Sequence, residues 1–474
     1  MKKTFYFYDL ETTGINPRRD RIMQFAGQRT DMDLNAVGDP NNILVKIAPD
    51  VVPSPDAILI TGITPQKSIQ EGITEAEFLK IFEKEINIPG TIFVGFNSIR
   101  FDDEFMRHTM WRNYHEPYEW HWKDARSRWD LLDLVRATRA LRPDGIEWPV
   151  DSEGKATNRL EYLTKVNKIS HVGAHDALSD VNATIGVARM IKSKQPKLFE
   201  YFLSIRGKKD VVKLVEEFKP FVYVSGKYPS EFEKVATVVA IGPHPKKGGS
   251  LVYDLRHDPT EFVAMTPVQL VDRWKWEREP KTQRLPVKTL QYNRCPAVGP
   301  LGVIDDSSKK RLKIDFDLVQ ANLAKLKTNQ KDFYEKLLKA LEMMDKQRQT
   351  AWTTDENDVD SQLYDGFVNN SDKYLISDVR RVEPEKLSNL ANGFKDERLK
   401  NLMHLYKARN HPKFLTDEEK KKWETHVQSR LQDEKTGLQA FFNRLGELAD
   451  RKGLSKNDMY LLEELQLYGE SLLH

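Results

Sequence analysis

The sequence has a single cysteine, Cys295, among 474 residues. One thiol excludes an internal disulfide and a cysteine-based zinc cage. No apolar run approaches the roughly 20 residues that a membrane helix needs. Net charge is nearly absent, since 74 Lys+Arg against 71 Asp+Glu leave +3. Bulk charge therefore singles out no polyanionic partner, and any nucleic-acid site must come from charge segregated along the chain. Internal repeats and low-complexity tracts are missing as well. After Met1-Lys2-Lys3 the apolar stretch at 4–8 is too short for a signal peptide and ends at Asp9. These absences predict a soluble, cytoplasmic chain without a membrane segment. At ~150 residues per domain it should hold about three domains.

What is present alternates first and then changes character. Residues 5–8, 22–29, 43–45 and 91–96 read as strands. Between them 74–86 reads as a helix, with Thr74 and Glu77 as a capping box. Residues 129–141 and 177–191 read as further helices, which together predict an α/β domain around a mixed sheet. Past 193–196 come short β runs at 221–224, 234–241, 251–255 and 286–292, separated by Gly and Pro. A helix starting at Thr266-Pro267 and more helix at 317–346 extend this small barrel-like domain. Residues 350–360 are polar and aperiodic, and everything beyond reads helical. Thr416 with Glu419 and Ser455 with Asp458 resemble N-cap pairs, and Leu461, Leu462, Leu465 and Leu467 keep a helical rhythm.

Three stretches carry chemistry. In the first, Asp9-Leu10-Glu11-Thr12, the two carboxylates share one face of a strand. They repel each other unless a hard cation joins them, although a solvated strand end reads the same way. In the second, Asn97 to Asp103 follows a buried-looking strand, where either a catalytic carboxylate or a simple helix cap fits. In the third, His175 enters a helix and Asp180 lies one turn inside it. His171 and Asp176 repeat that spacing, and periodicity does not choose between the pairs.

Taken together, the order and spacing of these stretches resemble the DEDD family of 3′→5′ exonucleases. Asp9 and Glu11 match the first motif, Asn97, Phe101 and Asp102 the second, and His175 and Asp180 the third. The histidine places the chain in the histidine subgroup. ILITGITP at 58–65, SRWDLLD at 127–133, ALRP at 140–143 and RLEYLTK at 159–165 extend the resemblance, as do DSQLYDGF at 360–367 and YKARN at 406–410. These resemble the three-domain bacterial exodeoxyribonucleases of that family, which degrade single-stranded DNA from the 3′ end.

The resemblance implies a ribonuclease H-like exonuclease domain at 1–195, an SH3-like β-barrel domain at 196–349 and an all-α domain at 350–474. It implies a hydrolase with two Mg²⁺ ions, or Mn²⁺, releasing 5′-mononucleotides in DNA repair and recombination. Asp9 would bridge both ions, Glu11 and Asp180 would complete one site, and Asp102 would hold the other ion. His175 suits the general base, because imidazole titrates near neutral pH. A monomer is implied. So is recruitment by the acidic C-terminal tail of single-strand DNA-binding protein, to which Arg311 or Lys327 could contribute.

A single strand needs cations for phosphates and aromatic faces for bases. Arg107, Trp111, Arg112, Tyr114, Tyr118, Trp120, Trp122, Lys123, Arg126, Arg128 and Trp129 supply both. About half of them, Trp129 first, should be core. Arg107, Tyr118 and Trp122 are the contact candidates, beside Glu11 and Thr12 on the first strand. Arg142 and Arg159 could grip phosphates or form surface ion pairs. Residues 273–294 hold seven Lys/Arg against two Glu, with Trp274, Trp276 and Tyr292 interleaved and Lys288 among them. The run KKRLK follows at 309–313. Tyr364 and Phe367 are stacking candidates from the helical domain. A channel built by three domains would make the enzyme processive and selective for single strands. The rival readings are an exoribonuclease of the same subgroup and a catalytically silent single-strand binder.

Overall fold

The computed structural model describes residues 3–171, 176–215, 219–275, 282–351 and 358–473. Its elements begin with strands β1 (Thr4–Thr12), β2 (Ile22–Thr30) and β3 (Asn41–Leu44). Helices α1 (Pro55–Thr61), α2 (Pro65–Glu71) and α3 (Glu75–Ile81) precede β4 (Thr91–Gly95). Then come α4 (Asp102–Arg112), β5 (Ser127–Asp130), α5 (Leu131–Leu141), α6 (Leu160–Val166) and α7 (Ala177–Lys194). The second sheet holds β6 (Phe221–Val224), β7 (Val235–Pro243), β8 (Gly249–Asp254), β9 (Val287–Gln291) and β10 (Ala297–Pro300).

The chain packs as two compact units, Met1–Ser127 with His171–Ile185 and Thr354–His474, and Arg128–Ser170 with Gly186–Thr353. In the first unit the strands run in the order β3-β2-β1-β4. Strand β1 is antiparallel to β2 and parallel to β4, so the sheet is mixed as expected. One face of this sheet is aromatic. Tyr6, Tyr8, Phe25, Phe78, Phe82, Phe93 and Trp120 form one buried cluster. Each fully buried ring of this kind contributes roughly 1.5–3 kcal/mol, which makes β1 a rigid mount for what lies at its end. The capping box on α3 forms, with Thr74 accepting from the Glu77 N–H and Glu77 reaching back. This helix then widens into a π turn at Phe82–Ile86.

The C-terminal helices belong to the first unit's core. Trp111 and Tyr114 of the α4 region pack with Val359, Leu363, Phe394, Leu402 and Tyr406. Met23, Ile47 and Ile58 pack with Phe441, Leu445, Leu461 and Leu465. Both expected N-cap pairs close into capping boxes, at Thr416/Glu419 and Ser455/Asp458. Leu467 departs from the buried rhythm of its neighbours and is exposed.

In the second unit the order is β10-β6-β7-β8-β9, antiparallel throughout. The long helix Phe316–Ala351 packs Val319, Leu326, Phe333 and Leu337 against β7 and β8 residues. One sequence expectation needs correction, and one strand was not expected. Residues 127–130 form a strand, and the following helix starts at Leu131, capped by the Asp130 carboxylate on the Leu132 N–H. Strand β10 has no strong sequence signal, because Pro296 and Pro300 flank three small or β-branched residues. No helix of the described residues is long and apolar enough to cross a membrane.

Candidate active site

The site begins with the pleat of β1. Asp9 pairs with Ala26 of β2 and Glu11 with Gln24, so both carboxylates project to one face. The register slips between Glu11 and Thr12, a bulge that ends regular pairing where the acids stand. Gln24 then recruits α7. Its Nε2 donates to Asp176 at 3.2 Å, and its Oε1 accepts from the Ala177 N–H at 3.4 Å. Asp176 caps the helix by accepting from the Ser179 N–H at 3.1 Å. One turn on, Asp180 arrives beside β1, where Asp9, Glu11 and Asp180 each offer an oxygen within 4.8 Å of the others.

Asp102 comes from the other side. Past β4, Asn97 adopts left-handed φ of 69°, a conformation its short polar side chain tolerates. Gly95 lets this turn close, since a Cβ there would sit 2.5 Å from the Ser98 Cβ. The chain then enters α4 at Asp102, which is 3% exposed. Asp103, beside it, is fully buried and accepts from the Tyr8 hydroxyl at 2.6 Å. The two adjacent acids are thus told apart. Asp103 is spent on a hydrogen bond to the scaffold, whereas the charge of Asp102 acts on Asp9.

Burial raises the Asp9 carboxyl well above its usual range, and the charges of Asp102, Asp180 and Asp176 raise it further. Glu11, 7% exposed, is pushed up to about 9 by burial and then by Asp9, Asp180 and Asp176. Carboxylates assembled so closely are at odds with their own charge. A hard cation resolves the conflict, and an all-oxygen donor set is what Mg²⁺ or Mn²⁺ takes.

His175 lies outside the described residues. His171, whose spacing to Asp176 repeats that of His175 to Asp180, hydrogen bonds Asp180 through its Nε2. Sequence reasoning missed that contact and the roles of Gln24 and Tyr8. The only available signal was position, with Gln24 opposite Glu11 and Tyr8 adjacent to Asp9.

The expected strand contacts divide. In the first unit Trp111, Tyr114 and Trp120 are core, and Arg112 is buried against Glu75 at 3.0 Å. Arg107 is also engaged, by Glu104 at 2.7 Å and over the Tyr118 ring at 5.6 Å. The Tyr364 hydroxyl donates to the other Glu104 oxygen at 2.5 Å. Trp122 is 57% exposed and Phe367 fully so. The Thr12 hydroxyl turns back onto the Gly14 carbonyl at 2.7 Å.

In the second unit Trp129 is core, stacked edge-on against Phe199. Arg142 donates to the Val303 carbonyl at 2.9 Å and meets Asp305 at 3.3 Å. Arg159 is mostly exposed, with Glu161 at 3.8 Å. Lys288 is partly buried on β9, its ammonium disfavoured by burial and by Arg284 and Lys227. Trp274 and Tyr292 pack against the unit's core, and Trp276, Arg278 and Lys281 lie outside the described residues. Arg311 holds the Ala140 carbonyl at 2.8 Å.

The carboxylate cluster at the strand end of the mixed α/β sheet falls within an exonuclease domain, which gives the class. The family model described as Exonuclease matches residues 6–188. Those described as Exonuclease I SH3-like domain and Exonuclease I C-terminal domain match 206–343 and 357–472. The chain belongs to the exodeoxyribonuclease I family. It is 39% identical to exodeoxyribonuclease I of Haemophilus influenzae, over 99% of each chain. It is similar to the solved exonuclease I of Methylocaldum szegediense, with TM-score 0.92, 40% identity and full coverage of both chains. The zinc-bound E. coli exonuclease I–ssDNA complex matches at TM-score 0.92 and 35% identity, again over all of both chains. A structure described as SSB/Exonuclease I with an inhibitor matches at TM-score 0.90 and 34% identity, with the same coverage.

Proposed function

We propose that this exodeoxyribonuclease hydrolyses single-stranded DNA from a free 3′ end and releases 5′-mononucleotides. The observation that carries the reading is the convergence of Asp9, Glu11 and Asp180 within 4.8 Å, with Asp102 acting on Asp9 from α4. These four carboxylates would hold two divalent cations, Mg²⁺ or Mn²⁺, with Asp9 shared. Bound there, the cations would lower the pKa of the attacking water and stabilise the departing oxyanion. His175 would take the water's proton as the oxygen adds to phosphorus. The bond from phosphorus to the preceding 3′ oxygen breaks, that oxygen takes a proton from solvent to become the new 3′ hydroxyl, and a 5′-mononucleotide is freed.

The exposed faces of Trp122, Phe367 and Tyr364 suit stacking on bases, and Arg107 would steady the Tyr118 ring that neighbours Tyr364. Arg159, Arg142 and Lys288 are the phosphate candidates of the second unit. Domain boundaries near 195 and 350 fall in the gaps between the three matched stretches. The acidic tail of single-strand DNA-binding protein is the proposed protein partner, supported by the similar structure described with SSB. A cytoplasmic monomer acting in DNA repair fits this reading.

The test uses end-labelled oligonucleotides with Mg²⁺, Mn²⁺ or EDTA. A 3′ label on single-stranded DNA should appear at once as mononucleotide, whereas a 5′ label should move through a ladder of shortening strands. EDTA should stop both. Faster hydrolysis of RNA than of DNA would turn the reading to an exoribonuclease. Metal-dependent binding without product would turn it to a silent binder.

A further inference from the structure

We propose that His171 is a positioning residue for Asp180, and through it for the cation held by Asp9, Glu11 and Asp180. The inference rests on the metal-holding reading of those three acids and goes beyond it, because no motif assigns His171 a part.

Its basis is geometric. The His171 side chain is 6% exposed, and its Nε2 hydrogen bonds Asp180 Oδ1. A carboxylate can only accept, so that ring nitrogen carries the proton. Asp180 sits in the first turn of an 18-residue helix, and its side chain has several staggered rotamers of which one must be held. The bond to His171 fixes the rotamer of a carboxylate that brings an oxygen within 4.8 Å of those of Asp9 and Glu11, the two groups that need a shared cation. Gln24 fixes the backbone of the same turn through Asp176 and Ala177, and does not touch the Asp180 carboxylate in any bond it makes there. Backbone and side chain of Asp180 are therefore oriented by different residues. Partners that orient a ligating carboxylate typically govern metal affinity by about 10–100-fold.

The test compares wild type, His171→Ala, His171→Gln and Asp180→Asn in the full chain. The first readout is Mn²⁺ binding without DNA, followed by electron paramagnetic resonance. The second is the Mg²⁺ concentration for half-maximal hydrolysis, with KM for DNA measured at saturating Mg²⁺. The third is the melting temperature in EDTA. His171→Ala should weaken Mn²⁺ binding about 10–100-fold and raise the Mg²⁺ requirement to match, with KM unchanged. His171→Gln, whose amide nitrogen can replace Nε2, should recover most of that loss. Unchanged Mn²⁺ affinity in His171→Ala, with or without a lower melting temperature, would overturn the proposal. Should His171→Ala not fold, a His171→Gln protein that is no better than His171→Asn at binding Mn²⁺ would overturn it too. Asp180→Asn separates the two levels of argument. If it still binds Mn²⁺ and cleaves normally, the metal-holding reading itself fails.

Discussion

The Tyr8 hydroxyl donates a buried 2.6 Å hydrogen bond to Asp103, joining the strand that carries Asp9 to the helix that begins with Asp102. The bond spans two elements whose acids must meet at one place. In Tyr8→Phe the Asp103 carboxylate loses this donor in the interior, a loss of about 1–3 kcal/mol. Urea unfolding should show that destabilisation. Hydrolysis should fall by more than for a remote core substitution of equal cost, since the start of α4 would lose this tie to β1. Full activity in a destabilised Tyr8→Phe protein would mean that the bond serves the scaffold alone.

The acidic cluster predicts an unusual pH profile. Glu11 in the folded, metal-free protein is pushed up to about 9, against an ordinary glutamate value of 4.5. The folded state therefore binds more protons than the unfolded state between those values. Stability from this group is complete below about 4.5 and is lost as pH rises toward 9. In EDTA, denaturation midpoints should decline from pH 5 to pH 9. The decline should be shallower in Glu11→Gln, which has no proton to lose. Mg²⁺ should flatten the wild-type profile by binding the ionised form. A metal-free profile that is level in wild type would contradict the strained cluster.

Much of this was legible from residue order, because the chemistry depends on local periods. The strand period puts Asp9 and Glu11 on one face, and the helix entry puts Asp180 one turn in. What stayed hidden depends on contacts between distant segments. The motif resemblance favoured Asp102 over Asp103, but the physical difference, the bond from Tyr8 to Asp103 across 95 positions, is not written in the local sequence. The histidine spacing left two pairs open, and the contact of His171 with Asp180 crosses between them. Four of the six aromatics at 107–129, Trp111, Tyr114, Trp120 and Trp129, are core, and Arg107 and Arg112 are tied to Glu104 and Glu75. DSQLYDGF and YKARN read as separate family signatures. In the fold they meet through Asp360 and Arg409.

That meeting supports a stability prediction. Arg409 lies between Asp50 at 2.5 Å and Asp360 at 2.7 Å, and Asp360 also accepts from Arg21 at 2.7 Å. The guanidinium groups hold both carboxyls below the usual range despite burial. Arg409→Ala would take the shared cation from two buried carboxylates, leaving Asp360 with Arg21 and Asp50 with His426, a loss of about 3–5 kcal/mol. Arg409→Lys should also destabilise, because an ammonium cannot fork between two carboxylates. With both pKa values depressed, the wild-type contribution is present above the unfolded carboxylate value near 3.8 and disappears as pH falls below it. Acid unfolding monitored by circular dichroism should therefore separate wild type from Arg409→Ala strongly at pH 7 and weakly near pH 2.

Trp122 and Phe367 present bare aromatic faces on the same unit that carries the acids. Neither ring is needed by the core, so truncation should leave thermal stability within about 0.5 kcal/mol of wild type. Stacking on a base is worth about 1–3 kcal/mol, so Trp122→Ala and Phe367→Ala should each weaken DNA binding by roughly 5- to 150-fold. Uncharged rings release no counterions. The slope of log affinity against log salt should therefore match wild type, whereas Arg159→Ala should make it shallower by about 0.7 if that guanidinium neutralises one phosphate of a single strand. Fluorescence anisotropy with labelled oligonucleotide in EDTA measures all three variants without turnover. An unchanged affinity in both aromatic variants would move the stacking surface elsewhere on the protein. A shallower salt slope for Trp122→Ala would mean that the ring orders a neighbouring cation rather than a base.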